Sequence, residues 1–227
     1  AATISTDPEH PAGRIVGVLV MTTGVGLFGT LAGYIANKLL APEGDDAPAP
    51  DEPEEEPAPE RPQAEILARL ARLDIAPESL DAILVTHEHS DHLGGVAKFA
   101  GRFGVPVCLT YGTFLEVPEP DEAIAWRLID SHSAFAVGDI EIQPFPVPHD
   151  AREPVQFVFS DGALRLGVLT DCGRITPHVL EVLGRCDALV LECNHDPALL
   201  SASSYPPMLK RRIAGNFGHL DNAQAAG

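Results

Sequence analysis

Residues 87–92, His-Glu-His-Ser-Asp-His, place three imidazoles and two carboxylates directly after an apolar run, Ala82-Ile83-Leu84-Val85-Thr86. Imidazole with carboxylate is the donor set of borderline divalent metals such as zinc, manganese or iron. On one continuous helix these side chains would point around the whole cylinder. On a loop leaving a strand they can converge on two nearby points. The competing reading is a polar turn with three exposed histidines. Two further donors recur in the same kind of place. His149 ends the run Phe145-Pro146-Val147-Pro148, and Asp171 follows Leu166-Gly167-Val168-Leu169-Thr170. Open α/β sheets build their sites at the C-terminal ends of strands. Alone, either residue reads as a turn or helix cap; beside the first motif, each reads as a ligand.

The elements that must hold these groups point to an α/β domain over residues 63–227. Glu65–Leu73 has helical periodicity, and Gly94–Phe103 reads as a helix. Ala82–Thr86, Val105–Leu109 and Ala188–Cys193 read as buried strands, and Ile140–Val147 continues a hairpin from Phe135. Asp161-Gly162 between two apolar runs is a strong hairpin signal. Pro177–Leu183 and Pro206–Ile213 read as further helices. Strands alternating with helices predict a layered α/β arrangement. Cys108, Cys172, Cys186 and Cys193 are widely spaced, which predicts free thiols rather than a disulfide framework.

The 227-residue chain carries a formal net charge of −18, and a uniformly acidic surface would repel nucleic acid. The charge is uneven, however. Residues 42–62 hold nine acidic residues, one Arg and seven Pro, so eight of the eighteen units lie in one stretch. Its composition predicts a disordered, self-repelling acidic Pro-rich linker. Before it, Ile15–Asn37 is 23 residues without a charge. That is long enough to span a hydrocarbon core, so membrane contact through residues 15–37 is expected. A cleaved signal-anchor and a buried core helix are the alternatives.

Two resemblances sharpen these readings. Residues from about 64 to 226 resemble the metallo-β-lactamase superfamily of metallohydrolases, and within it the bacterial WalJ/VicX-like subgroup. ILVTHEHSDHLGGV, PFPVPHDAREPVQFVF, LGVLTDCG, LVLECNHD and YPPMLKRRIAGNFGHLDNAQAA carry the likeness. It implies an αββα sandwich and two divalent metal ions, zinc in the first instance, with manganese or iron as alternatives. His87, His89 and His149 would hold one metal, Asp91 and His92 the second, and Asp171 would bridge them. Asp91 would also orient the attacking water. His219 would contact the scissile phosphate or protonate the leaving oxygen. Lys210, Arg211 and Arg212, a dense basic run, would ground a phosphate backbone, although a solvated helix end reads equally well. The subgroup implies a phosphodiesterase or DNA exonuclease, hence a nucleic-acid or other phosphodiester substrate.

The second resemblance covers residues 1–41. Gly13-Arg14-Ile15-Val16 and the GVGLFGTLAGYIANKLL that follows resemble the inner helix of bacterial potassium channels, without the filter sequence or the outer helix. It implies an inner-membrane location with the hydrolase domain in the cytoplasm; without that segment the domain would be soluble and cytoplasmic. Three departures from the metallohydrolase pattern accompany it. The strands and turn expected ahead of the His motif are missing, which predicts exposed apolar surface around Ala82–Thr86. The C-terminal His expected to complete the second metal's shell is missing, and Asp221 stands where the subgroup has Ser. The expectation is therefore a partial sandwich, truncated at both ends, whose dinuclear site is impaired. The alternative is a non-catalytic channel fragment fused to such a domain.

Overall fold

The computed structural model describes residues 61–226. The channel-like helix at 15–37 and most of the acidic linker lie outside them. Helix α1, Arg61–Arg72, takes in Arg61 and Pro62, the last two residues of that stretch. Among the described residues no helix is long and apolar enough to cross a membrane.

From α1 the chain enters a two-residue strand β1 (Ile83–Leu84), a one-turn helix α2 (Ser90–Leu93) and helix α3 (Val96–Phe103). Strand β2 (Val107–Thr110), one-turn helix α4 (Tyr111–Phe114) and strand β3 (Trp126–Ile129) complete a parallel sheet in the order β1-β2-β3. The second sheet has five strands in sequential order. They are β4 (Phe135–Val137), β5 (Ile140–Pro146), β6 (Val155–Ser160), β7 (Arg165–Leu169) and, after helix α5 (Pro177–Leu183), β8 (Ala188–Leu191). Pairing is antiparallel as far as β7, and β8 lies parallel to β7. Helices α6 (Pro197–Ala202), α7 (Pro207–Ile213) and α8 (Asn222–Ala226) follow.

Alternation along the strands sorts the core into layers. Leu84 and Cys108 of the first sheet pack with Ile142, Phe157, Phe159 and Val168 of the second. Their neighbours Ile83, Val107 and Leu109 face the other way, onto Leu70 of α1 and Val96 and Phe99 of α3. On the far side of the second sheet, Phe145, Val158 and Leu169 pack on Val179, Val182 and Leu183 of α5. Because side chains of one strand alternate between faces, two sheets sandwiched by two helical layers follow. This is the αββα arrangement. Val155 N donates to Thr86 O at 3.0 Å, so β6 begins beside the end of β1 and joins the sheets at the functional end.

Two expectations need correction. Ala82–Thr86 is not exposed: Ile83, Leu84 and Val85 are all buried, between the second sheet on one side and α1 and α3 on the other. The apolar exposure falls instead on β8, where Leu189 and Val190 remain 50% and 39% exposed at the sheet edge. The predicted helix Gly94–Phe103 begins two residues later, at Val96. Gly94 and Gly95 separate α2 from α3, and Gly95 has a left-handed φ of 81°. All four cysteines are free.

Candidate metal centre

Three strand ends deliver the donors. His87 and His89 leave β1, His149 follows β5, and Asp171 follows β7. The motif is not all loop. His89 is the N-cap of α2, whose single turn carries Asp91 and His92. One turn is short enough that the five donors do not spread around a cylinder.

Thr86, overlooked in the sequence, organises the first shell. Its Oγ1 lies 3.0 Å from His87 Nδ1 and 2.9 Å from His92 Nδ1. A hydroxyl has two acceptor lone pairs, so both Nδ1–H groups can donate to it, which leaves each Nε2 as a lone pair. Backbone carbonyls set the other two rings. His149 Nδ1 donates to Gly218 O at 3.0 Å, and His89 Nε2 donates to Asp150 O at 3.2 Å. The atoms left over converge. His89 Nδ1 lies 2.9 Å from His87 Nε2 and 3.2 Å from His149 Nε2. Burial pushes the His87 imidazole down to about 2, with His92 adding to the effect and Asp171 opposing it. Burial also lowers His149. Neutral rings presenting lone pairs to one another have no proton to share, and a cation satisfies them together. The residues present therefore fit a divalent metal.

Among the described residues three groups of donors meet this test, each with ligand atoms within 4.8 Å of one another. They are His87, His89 and His149; His87, His92 and Asp171; and His149, Asp171 and His219. Asp171 thus stands between the imidazole sets. Its Oδ2 lies 3.1 Å from His92 Nε2, yet that buried oxygen has no hydrogen bond of adequate geometry. Burial alone would raise its carboxyl, but His92, His87 and His219 outweigh burial and hold it well below the ordinary carboxylate range. Asp91 stands apart from these groups. Its side chain is 59% exposed at the rim, with Oδ2 3.7 Å from His92 Nε2. Glu88, the motif's other carboxylate, turns aside to accept from Arg152 N.

The segment after α7 does reach the centre. His219 Nδ1 lies 3.3 Å from Asp171 Oδ1 and 3.1 Å from Glu192 Oε2. Two carboxylate oxygens around one nitrogen are satisfied by an N–H, so this nitrogen carries a proton. Burial lowers the His219 pKa, but Glu192 and Asp171 more than offset this and the imidazole ends above its ordinary value. Glu192 was also missed in the sequence. Buried at the end of β8, it accepts from Cys172 N at 2.7 Å and Leu220 N at 3.1 Å through Oε1. Gln156 acts likewise on β6, accepting from Thr170 N at 3.1 Å and so fixing the residue before Asp171. A carboxylate or amide inside an apolar strand was the available signal for both.

The basic run divides. Arg212 lies at the mouth, bonded through Nε and Nη2 to Asp150, with Nη2 3.4 Å from His89 Nε2. Lys210 turns away and donates to Ser201 O at 2.6 Å. Arg211 is exposed. Adjacent helical residues point in different directions, so one turn cannot aim all three at the centre.

The comparisons agree with this architecture. The family model described as "Beta-lactamase superfamily domain" matches residues 56–226. Exodeoxyribonuclease YycJ of Bacillus anthracis is 35% identical over 168 residues, covering 71% of this chain and 62% of its own. Exodeoxyribonuclease WalJ of Streptococcus pneumoniae strain D39 is 32% identical over 167 residues, with the same shares covered. The chain therefore spans about three fifths of the length of these relatives. A hydroxyacylglutathione hydrolase of Aeromonas hydrophila is 46% identical over 113 residues, covering 48% of this chain and 41% of its own. The crystal structure of the metallo-β-lactamase fold protein YhfI from Bacillus subtilis superposes with a TM-score of 0.54 at 16% identity, over 70% of this chain and 63% of that one. The chain belongs to the family of the beta-lactamase superfamily domain.

Proposed function

We propose that the domain hydrolyses phosphodiesters as a metal-dependent exonuclease, with His87, His89 and His149 holding one divalent ion, His92 and Asp91 holding a second, and Asp171 serving both. Zinc suits this imidazole-rich set, and manganese or iron suit it next. What carries the reading is the convergence of neutral imidazole nitrogens and one buried carboxylate beneath the Arg212 guanidinium. The exodeoxyribonuclease relatives support the same substrate class. Divalent ions in such a centre supply an acidified water and neutralise charge that builds on phosphoryl oxygens.

The chain's own residues do the rest. Arg212, at the mouth beside His89, meets a non-bridging phosphate oxygen through the N–H groups that its pair with Asp150 leaves free. Asp91, exposed at the rim, accepts a hydrogen bond from the attacking water and aligns it. Glu192 Oε2 holds His219 Nδ1–H, which leaves Nε2 as the atom that gives a proton to the leaving oxygen. The buried carboxylate also favours the imidazolium form that step requires. The acidic chain as a whole does not oppose this reading, because eight of its eighteen negative units lie in residues 42–62.

The test is hydrolysis of end-labelled single-stranded DNA and of bis(p-nitrophenyl) phosphate by the purified chain, with zinc or manganese and again with chelator. Cleavage that chelator abolishes is expected. A chain that binds metal yet cleaves neither substrate overturns the proposal. The Aeromonas relative favours a second reading, hydrolysis of a hydroxyacylglutathione thioester, which the same preparations test directly.

A further inference from the structure

Arg212 does not stand alone on its helix. Met208, Arg211 and Arg212 are spaced i, i+3 and i+4 on α7, the spacing that shares one helical face. All three are exposed, Met208 by 76%. Phe217 follows the end of this helix and is 57% exposed. An exposed thioether and an exposed aromatic ring on and just after a helix that carries two exposed guanidinium groups suit a partner that offers both flat apolar faces and negative charge.

The position of Phe217 is built rather than incidental. His219 N donates to Ile213 O at 2.9 Å and Gly218 N to Gly215 O at 2.9 Å, so the chain folds back on the end of α7. A Cβ on Gly173 would lie 2.4 Å from Asn216 C and Phe217 N, so the 216–217 backbone rests directly on the loop after Asp171. The next residue, Gly218, supplies the carbonyl that orients His149. The Phe217 backbone therefore lies between the loop after Asp171 and the end of α7, next to the residue that orients His149, with its ring exposed.

We infer that the exposed face of α7 and Phe217 form a strip for single-stranded nucleic acid, on which Phe217 stacks a nucleobase while Arg212 and Arg211 receive successive phosphates. Proteins that hold single strands without reading sequence combine cationic side chains for the backbone with aromatic rings for the bases. A duplex keeps its base faces stacked inside, so a ring in this place selects unpaired ends. The inference rests on the phosphodiester reading for the substrate's chemistry, but its test does not need cleavage.

The full chain is titrated into a fluorescein-labelled oligothymidylate of about a dozen nucleotides and into an abasic strand of equal length, with chelator present, and anisotropy is read. The wild-type chain is expected to bind the base-bearing strand about tenfold more tightly than the abasic one. Phe217→Ala abolishes that difference and leaves abasic binding unchanged, Phe217→Trp restores it, and Arg211→Glu weakens both. Equal affinity of the wild type for the two strands, or unaltered binding by Phe217→Ala, overturns the inference, as does failure to bind either. Loss of metal-dependent cleavage with the base preference intact would sink the proposed chemistry alone.

Discussion

Thr86 touches two imidazoles with one oxygen, at 3.0 Å and 2.9 Å, without being a donor to metal itself. Thr86→Val keeps the shape and removes the acceptor, leaving two buried Nδ1–H groups to find other partners. Outer partners of metal-binding histidines are typically worth about 10–100-fold in affinity. A fall of that size, measured by competition with a chromophoric chelator, is expected, and unchanged affinity would remove Thr86 from the centre. Glu192 acts through protonation. It helps to hold the His219 pKa above its ordinary value, so His219 stays protonated to higher pH than a free imidazole. Glu192→Gln takes away the charge, and the alkaline limb of the kcat–pH profile is expected to move to lower pH. Glu192→Asp is expected to retain part of the wild-type position.

At the scale of elements, the turn joining α7 to His219 depends on a missing side chain. A Cβ on Gly218 would lie 2.1 Å from Arg212 O and 2.2 Å from Ile213 O, both backbone atoms that cannot step aside. Gly218→Ala is expected to cost about 1–3 kcal/mol, read from the denaturant midpoint. Metal affinity should fall with it as the acceptor of His149 shifts. Such a turn is hard to foresee from sequence, because Gly218 matters through where α7 ends in space. The donors were easier to read. His87, His89, His149 and Asp171 stand at strand ends whose apolar runs announce themselves, and the Asp161-Gly162 hairpin was equally plain. Strand β3, Trp126–Ile129, was missed because its burial is only partial and no strict alternation marks it. Glu192 and Asp150 were missed for another reason. Each works through partners far away in the chain, such as Leu220 or Arg212, and no local pattern encodes those meetings.

At the scale of the molecule, burying so many imidazoles makes the metal-free fold sensitive to acid. His87 and His149 titrate lower in the folded chain than in the unfolded one. Below the unfolded value near 6.5 the unfolded state therefore takes up protons that the folded state refuses, and stability falls with pH by up to about 1.4 kcal/mol per unit for each ring. His219 has the opposite sign: its contribution is complete below that value and is lost as pH rises through its folded pKa. Asp171, held low when folded, contributes above the ordinary carboxylate range and loses that contribution only as pH falls through its depressed value. Thermal melts in chelator should accordingly show a falling melting temperature from pH 7 to pH 5. A flat profile would mean that the rings are not buried as described.

The Glu192 carboxylate gathers Cys172, His219 and Leu220 around itself, three positions drawn from two segments that lie on either side of it in the chain. During synthesis the histidines of β1 and β5 emerge long before residues 216–220. Until that late segment docks, His149 lacks the carbonyl that fixes its tautomer and Glu192 lacks two of its three donors. Metal capture therefore waits on the docking of residues 216–220, and a sandwich folded without them would hold an incomplete centre.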